Sequence, residues 1–424
     1  MKAMHGMLKV GGLAWLLGWL TADAGWAQSV GRPLPVWREG LLDIHQLSTG
    51  QGNAALVVLP DGTSLLIDAG AVNRIDWRTG KPRRLPTKPS PDRAAGEWIA
   101  RYARKALRFQ STPALDYALI THFHDDHMGS PLHVARKSVG GYRLAGITEV
   151  AEYLPIRRIL DRGWPDYTYP QPFDQDSMVL NYRQFLAWQI QHNGLVAARF
   201  EAGRADEIQL LRNPAPYRSQ VSIQNIVVNG NVWTGIGQAT RALFPKLATL
   251  QPAEYPSENM CSIGLRIRYG AFDYFTGGDL PGTLLANEPT WHDVESPVAA
   301  AVGAVDVQLL DHHGYPDSEN ETLLKGLKPR VLVVPAWAVS HPGRGVLERV
   351  YSERLYAGER DVFVTNLLDE TKLALGDLLP RLKSTAGHVV VRVEPGGGAY
   401  RIFILEDGNE SQRVKAVYGP YHSR

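Results

Sequence analysis

Short apolar runs separated by turn signals set the pattern of this chain. Residues 54–59 (AALVVL) and 64–67 (SLLI) flank Pro60-Asp61-Gly62, and Asp-Gly between two such runs predicts a hairpin. Ser90-Pro91-Asp92 reads as a helix start, with Ser as N-cap and Pro in the first turn. Trp98, Ile99, Tyr102, Ala106 and Leu107 follow at helical spacing and predict a buried helix face. Residues 115–121 (LDYALIT) predict a strand that runs straight into His122. From about 145 to 250 the pattern weakens. That stretch holds a Pro- and aromatic-rich segment at 161–173 and a helical segment at 177–192, and it reads as an insertion on the core. Order returns where Ile263, Leu265 and Ile267 alternate with Gly264, Arg266 and Arg268, as in a half-buried strand. Further strands are predicted at 271–276, 305–310, 331–334 and 362–365, with a terminal hairpin of 389–393 and 400–405 around Pro395-Gly396-Gly397-Gly398. Helices are predicted at 295–301 and 345–355. Strands mixed with helices predict a layered α/β architecture.

The first residues stand apart from this pattern. Lys2 and Lys9 precede an apolar run at 10–20, and small residues end in Gly25-Trp26-Ala27. That order predicts a signal peptide at 1–27, cut after Ala27, and a single exported domain at 28–424. The run is too short to span a hydrocarbon core of ~30 Å comfortably, so no stable membrane insertion is expected after cleavage. The periplasm or the medium is the expected location.

Composition narrows the chemistry. The 424 residues are 44% hydrophobic and 21% charged, an ordinary globular balance. A net charge of +2 excludes a uniformly basic coat for duplex DNA, although Arg74, Arg78, Lys81, Arg83, Arg84 and Lys88 form a local basic stretch. The single cysteine, Cys261, excludes a disulfide framework and any cysteine-rich zinc module. A metal site must therefore be built from His and carboxylates.

Such a set is present. Thr121-His122-Phe123-His124-Asp125-Asp126-His127 follows the predicted strand. Two imidazoles two positions apart at a strand end point the same way, and a loop lets Asp126 and His127 turn back to the same volume. These are N and O ligands suited to Zn, Mn or Fe. Three more strands end in chemistry-bearing residues: Ile67-Asp68-Ala69-Gly70, Phe275-Thr276-Gly277-Gly278-Asp279 and Leu310-Asp311-His312-His313-Gly314.

Together these motifs resemble the metallo-β-lactamase superfamily, and within it the metallo-hydrolase domain of ComEC-type competence proteins. Thr49-Gly50-Gln51-Gly52-Asn53-Ala54, Ser262 and Ser340-His341-Pro342 carry the second likeness. A more distant likeness is to phosphorylcholine esterases. The resemblance covers roughly 43–144 and 255–405. It implies a four-layer αββα sandwich with two divalent metal ions, zinc first among them, at one edge of the sheets. By the same resemblance His122 and His124 would hold one metal, Asp126, His127 and His313 a second, and Asp279 would bridge them. Asp68 would orient the HxHxDH loop. His312 would contact substrate or protonate a leaving group, its role exchangeable with that of His313. The family's third histidine for the first metal is absent. Counting back from Ser262, its place falls on Glu258, with Asn259 as the alternative. Asn53 stands where the competence branch has Asp, and Tyr315 where it has Ser.

The expected reaction is hydrolysis by a metal-bridged hydroxide, because two close metals lower the pKa of a bound water towards ~7. The basic stretch after Asp68 could hold phosphate oxygens, and Arg162, Trp164, Tyr167 and Tyr169 could form a lid that stacks on a ring or base. Both favour a phosphodiester or nucleic-acid-like substrate. The alternatives are a lactone, amide or β-lactam hydrolase on the same site, and a non-catalytic metal-binding protein that kept the fold.

Overall fold

The computed structural model describes residues 29–73, 80 and 86–424. The expected leader at 1–27, and Arg74, Arg78, Lys81, Arg83 and Arg84 of the basic stretch, lie outside the described residues. The strands are β1 (Leu42–Gln46), β2 (Ala55–Val58), β3 (Ser64–Ile67), β4 (Leu115–Leu119), β5 (Ile156–Asp161), β6 (Val196–Arg199), β7 (Val221–Val228), β8 (Asn231–Trp233), β9 (Thr240–Ala242), β10 (Gly264–Tyr269), β11 (Phe272–Thr276), β12 (Val307–Leu309), β13 (Val331–Val334), β14 (Asp361–Val364), β15 (Leu382–Ser384), β16 (His388–Val393), β17 (Ala399–Leu405) and β18 (Val414–His422). The helices are α1 (Ala95–Ala106), α2 (Asp125–Met128), α3 (Ile147–Tyr153), α4 (Ser177–Asn193), α5 (Glu295–Val302), α6 (Glu321–Leu327), α7 (Arg344–Val350) and α8 (Asp369–Leu375).

Two nine-stranded sheets result. The first has the order β18-β17-β16-β1-β2-β3-β4-β5-β6, the second β15-β14-β13-β12-β11-β10-β7-β8-β9. Each is antiparallel in one half and parallel in the other: β3 to β6 run parallel in the first, β11 to β15 in the second. Strands such as Val-Leu-Val-Val of β13 are buried on both faces and read as unbroken apolar runs. The alternation in β10 behaves differently. Leu265, Ile267 and Tyr269 enter the core between the sheets, while Arg266 and Arg268 turn away to the Asp273 carboxylate.

Apolar side chains of both sheets meet in the central core, Ile44, Val57 and Leu119 from one and Leu265, Tyr274 and Val333 from the other. The opposite face of the first sheet is covered by α1, α3 and α4, that of the second by α5, α6, α7 and α8. This is the expected αββα sandwich. Each fully buried Leu, Ile, Val or Phe contributes about 1.5–3 kcal/mol relative to exposure.

Several elements differ from expectation. Helix α1 begins at Ala95, with Ala94 as an N-cap that offers no side-chain bond. Ser90 does not cap it, because its hydroxyl bonds the Asp92 carboxylate and its carbonyl accepts from Trp98 Nε1 at 2.9 Å. Helix α7 stops at Val350. The stretch 145–250 is spread through both sheets: β5 and β6 extend the first, and β7 pairs with β10 inside the second. Arg162 and Tyr167 are only 1% and 2% exposed. They are packed inside the fold and cannot form the expected stacking lid.

Candidate metal centre

Ligands of open α/β sheets gather beyond the carboxyl ends of parallel strands, and the candidate residues lie there. Asp68 follows β3, His122 follows β4, Asp279 follows β11, and His312 and His313 follow β12. Pairing of Ile67 with Leu119 puts Asp68 beside the β4 exit. Asp68 has a positive φ of 61°, which turns its carboxylate back over the strand end. There Oδ1 accepts the Thr121 amide at 2.8 Å, and Oδ2 accepts the Thr121 hydroxyl at 2.9 Å and Asn53 Nδ2 at 2.9 Å. Oδ2 also lies 2.7 Å from His127 Nδ1. The Asn53 amide donates to Asp68, which an ionised carboxylate at this position could not do.

The one-turn helix α2 presents Asp126 and His127. It is clasped from behind by backbone bonds from Asn53 to the Asp126 carbonyl, 2.7 Å, and from Ala69 to the His127 carbonyl, 2.7 Å. A Cβ at Gly52 or Gly70 would fall 2.2 or 2.1 Å from the Asp126 carbonyl oxygen. Only glycine allows the Gly50-Gln51-Gly52 and Asp68-Ala69-Gly70 turns to close on the metal loop.

Asp126, His127, Asp279 and His313 form one buried group with a ligand atom each within 4.8 Å of the others, and His122, His124 and Asp279 form another. The Asp279 carboxylate belongs to both. Its Oδ1 lies 3.0 Å from His127 Nε2 and 3.6 Å from His313 Nε2. Its Oδ2 lies 3.8 Å from His122 Nε2 and 3.7 Å from His312 Nε2. Asp126 Oδ2 is 3.0 Å from His313 Nε2.

The donor chemistry fits a cation. His313 Nδ1 can only donate to the Pro335 carbonyl, 2.9 Å away, and His127 Nδ1 is held on Asp68. In neutral rings both Nε2 atoms then carry lone pairs, and these face each other at 3.2 Å beside two carboxylates. Burial alone would raise the Asp279 carboxyl; the rings of His127, His313, His312 and His122 reverse this and hold it well below the usual range. Burial opposes a charged His127, but Asp279, Asp126 and Asp68 push its pKa well up. For His122 burial wins, aided by His127, and the ring is held neutral. Residues that would hold metal are therefore His122, His124 and Asp279 on one side, and Asp126, His127, His313 and Asp279 on the other.

Glu258 does not join them. Its Oε1 accepts the Phe123 amide at 2.7 Å and Arg162 Nε at 2.7 Å, and its Oε2 pairs with Arg162 Nη2. Burial would raise its pKa, but the Arg162 guanidinium holds it below the usual range. The pair braces the backbone between His122 and His124 from behind. The neighbouring Asn259 faces the site instead, with Nδ2 3.3 Å from His312 Nε2 and a buried Oδ1 that has no hydrogen-bond partner.

His312 is fixed through Nδ1, 2.7 Å from Asp317 Oδ1. Burial opposes its protonation, but Asp279 and Asp317 raise its pKa above that of a free histidine. Both His312 and His313 have positive φ, 46° and 56°, a conformation disfavoured for such side chains and held here by the site. Sequence reasoning missed Asp317, and it missed Trp337, whose Nε1 lies 3.4 Å from His313 Nε2. Trp337 lies early in the loop after β13, three residues before the Ser340-His341-Pro342 motif. His341, noted only as part of a motif, stacks on His313 with ring centres 4.8 Å apart.

No protein-family model matches the chain, and no curated protein matches it. Solved structures do. A protein of Parabacteroides distasonis described as a metal-dependent hydrolase is 11% identical, over 77% of this chain and 94% of that one, with a TM-score of 0.36. Zn2+-bound PqqB of Methylobacterium extorquens is 14% identical, over 81% and 90%, with a TM-score of 0.35. The short form of human tRNase Z is 11% identical, over 68% and 91%, with a TM-score of 0.28.

Proposed function

We propose that the chain is an exported metal-dependent hydrolase of phosphodiester or nucleic-acid-like substrates. One observation carries the hydrolase reading: the two oxygens of Asp279 face two separate sets of imidazoles, an arrangement suited to a pair of ions sharing one carboxylate. Divalent metals held there would polarise a substrate oxygen and make hydroxide available near neutral pH. The chain itself supplies the rest. Asp68 holds His127, and the Pro335 carbonyl holds His313, so that both Nε2 atoms face inward. His312 is oriented by Asp317, and its Nε2 is placed to hand a proton to a leaving oxygen. The substrate class rests on the sequence, in the basic stretch that follows Asp68. Lys88, the last residue of that stretch, is turned to Asp407 at 2.5 Å and is not free for substrate.

The test is a substrate panel on protein of verified metal content. Bis-p-nitrophenyl phosphate and single-stranded DNA should be cleaved, and nitrocefin and a homoserine lactone should not. Asp279→Ala should lose metal and reduce turnover by at least about a hundredfold. Wild-type turnover in that variant would remove the shared-carboxylate mechanism. Cleavage of nitrocefin or the lactone alone would move the substrate class to the alternative, and less than one metal per chain would sink both hydrolase readings.

A further inference from the structure

A second cluster of ligating groups lies behind the metal centre and plays no part in it. Asp311 ends the β12 exit, Glu295 opens α5, and Glu319 stands just before α6. All three are 0% exposed, and one oxygen from each lies within 4.8 Å of the others. Glu295 accepts the amides of Glu319 at 2.6 Å and Asn320 at 2.7 Å. Glu319 accepts the Asp311 amide at 2.9 Å and Gln308 Nε2 at 3.0 Å. Neither oxygen of Asp311 has a hydrogen-bond partner, nor does the buried Oε1 of Gln308, whose Nε2 sits on Glu319. Arg349, the charged group that acts on Glu319, directs its guanidinium to the Glu319 and Ser318 carbonyls.

Three buried acids and an amide oxygen, with the Asp311 and Gln308 acceptors unfilled, call for a positive charge. The set contains oxygen only, unlike the imidazole-rich centre, and oxygen donors suit a hard cation. We infer that Asp311, Glu295, Glu319 and the Gln308 amide oxygen form a site for a hard divalent cation such as calcium, distinct from the candidate metal centre.

Such an ion would act on the centre through backbone. Asp311 directly precedes His312 and His313. A Cβ at Gly277 would fall 2.5 Å from Asp311 Oδ1, so the Gly277-Gly278-Asp279 turn rests on the same carboxylate. The cation would therefore tie together the two loops that deliver Asp279, His312 and His313.

The experiment uses zinc-loaded full protein equilibrated with calcium chloride and freed of unbound ion. Elemental analysis should find one calcium per chain beyond zinc, and the thermal midpoint should climb with calcium. Asp311→Asn should lose both the calcium and the calcium-dependent rise while keeping its zinc. Gln308→Met, which keeps all three charges, should need more calcium for the same rise and serves if the first variant does not fold. A zinc-loaded chain with no calcium and a midpoint indifferent to it would overturn the inference. So would an Asp311→Asn protein more stable than the parent at every calcium concentration, because shared protons would then neutralise the cluster.

Discussion

Asp68 shows how much of the centre hangs on one side chain that would itself bind no metal. Its carboxylate receives Thr121, Asn53 and His127 together, so it fixes the strand exit, the glycine-rich turn and one imidazole at once. Removing it frees the His127 ring and leaves the Asn53 and Thr121 donors buried without an acceptor. Partners that orient ligands in this way typically contribute 10–100-fold to metal affinity. Asp68→Ala should weaken metal binding by about that factor, read by competition against a chelating dye, and a variant with unchanged affinity would contradict the role assigned to it. Asp68 was legible because it ends an apolar strand within a recognisable string, as do His122, His124, Asp126 and His127. Asp317 and Trp337 were not, because only folding brings them to His312 and His313. Glu258 was misplaced for a related reason. Counting along the chain fixes a position, whereas the direction of the side chain is set by Arg162, which lies far away in sequence.

At the scale of elements, strands with an unbroken or alternating apolar pattern were readable, and β2, β3, β4, β10, β11, β13 and the β16–β17 hairpin stand close to their expected places. The stretch 145–250 was opaque because its elements carry mixed signals. Strand β5, Ile-Arg-Arg-Ile-Leu-Asp, sets Arg157 outward in a strand whose other end is buried. Helix α4 is the exception, expected at 177–192 and found at Ser177–Asn193: it buries Val179, Tyr182, Phe185, Leu186 and Gln189 along one face, although Leu180 and Ile190 are exposed. Its ends are clearer. Asp176 accepts the amides of Met178 at 2.8 Å and Val179 at 3.0 Å, and Gly194 closes the helix in the left-handed region with φ 68°. Because α4 holds Tyr182 against Asp161 at 3.0 Å, this cap supports the β5 exit where Arg162 begins its brace of Glu258. Asp176→Ala should cost about 1 kcal/mol in chemical denaturation, with metal content unchanged. A loss of metal at full stability would show that the helix acts on the centre more directly than its packing implies.

Over the whole molecule, the first sheet joins strands far apart in the chain at its β16–β1 pairing, and a buried ion pair marks the seam. Asp43 of β1 and Arg392 of β16 are register partners. Their side chains are bonded at 2.8 and 2.6 Å, with both residues almost wholly buried. Burial alone would raise the Asp43 carboxyl; Arg392 reverses this and, with help from His45, lowers it from 3.8 to about 2. A carboxylate depressed on folding contributes stability that is fully present above its unfolded pKa and is lost as pH falls through the folded value. The Asp43 contribution should therefore be complete above about pH 5, decline through the interval from 3.8 to about 2, and amount to roughly 2 kcal/mol. His388 adds an earlier slope, since burial lowers its pKa to about 4 against the nearby Asp407 charge, and its contribution fades as pH falls from 6.5 to that value. Asp43→Asn leaves Arg392 buried without its countercharge, which should cost about 3–5 kcal/mol at neutral pH. Against acid, however, the variant has no carboxylate at that seam to protonate. Plotted as thermal midpoint against pH, parent and variant should run parallel from neutrality to about pH 5. They should then converge towards pH 2, the parent falling faster. Curves that stay parallel down to the lowest pH would show that the pair is not what makes the sheet acid-sensitive.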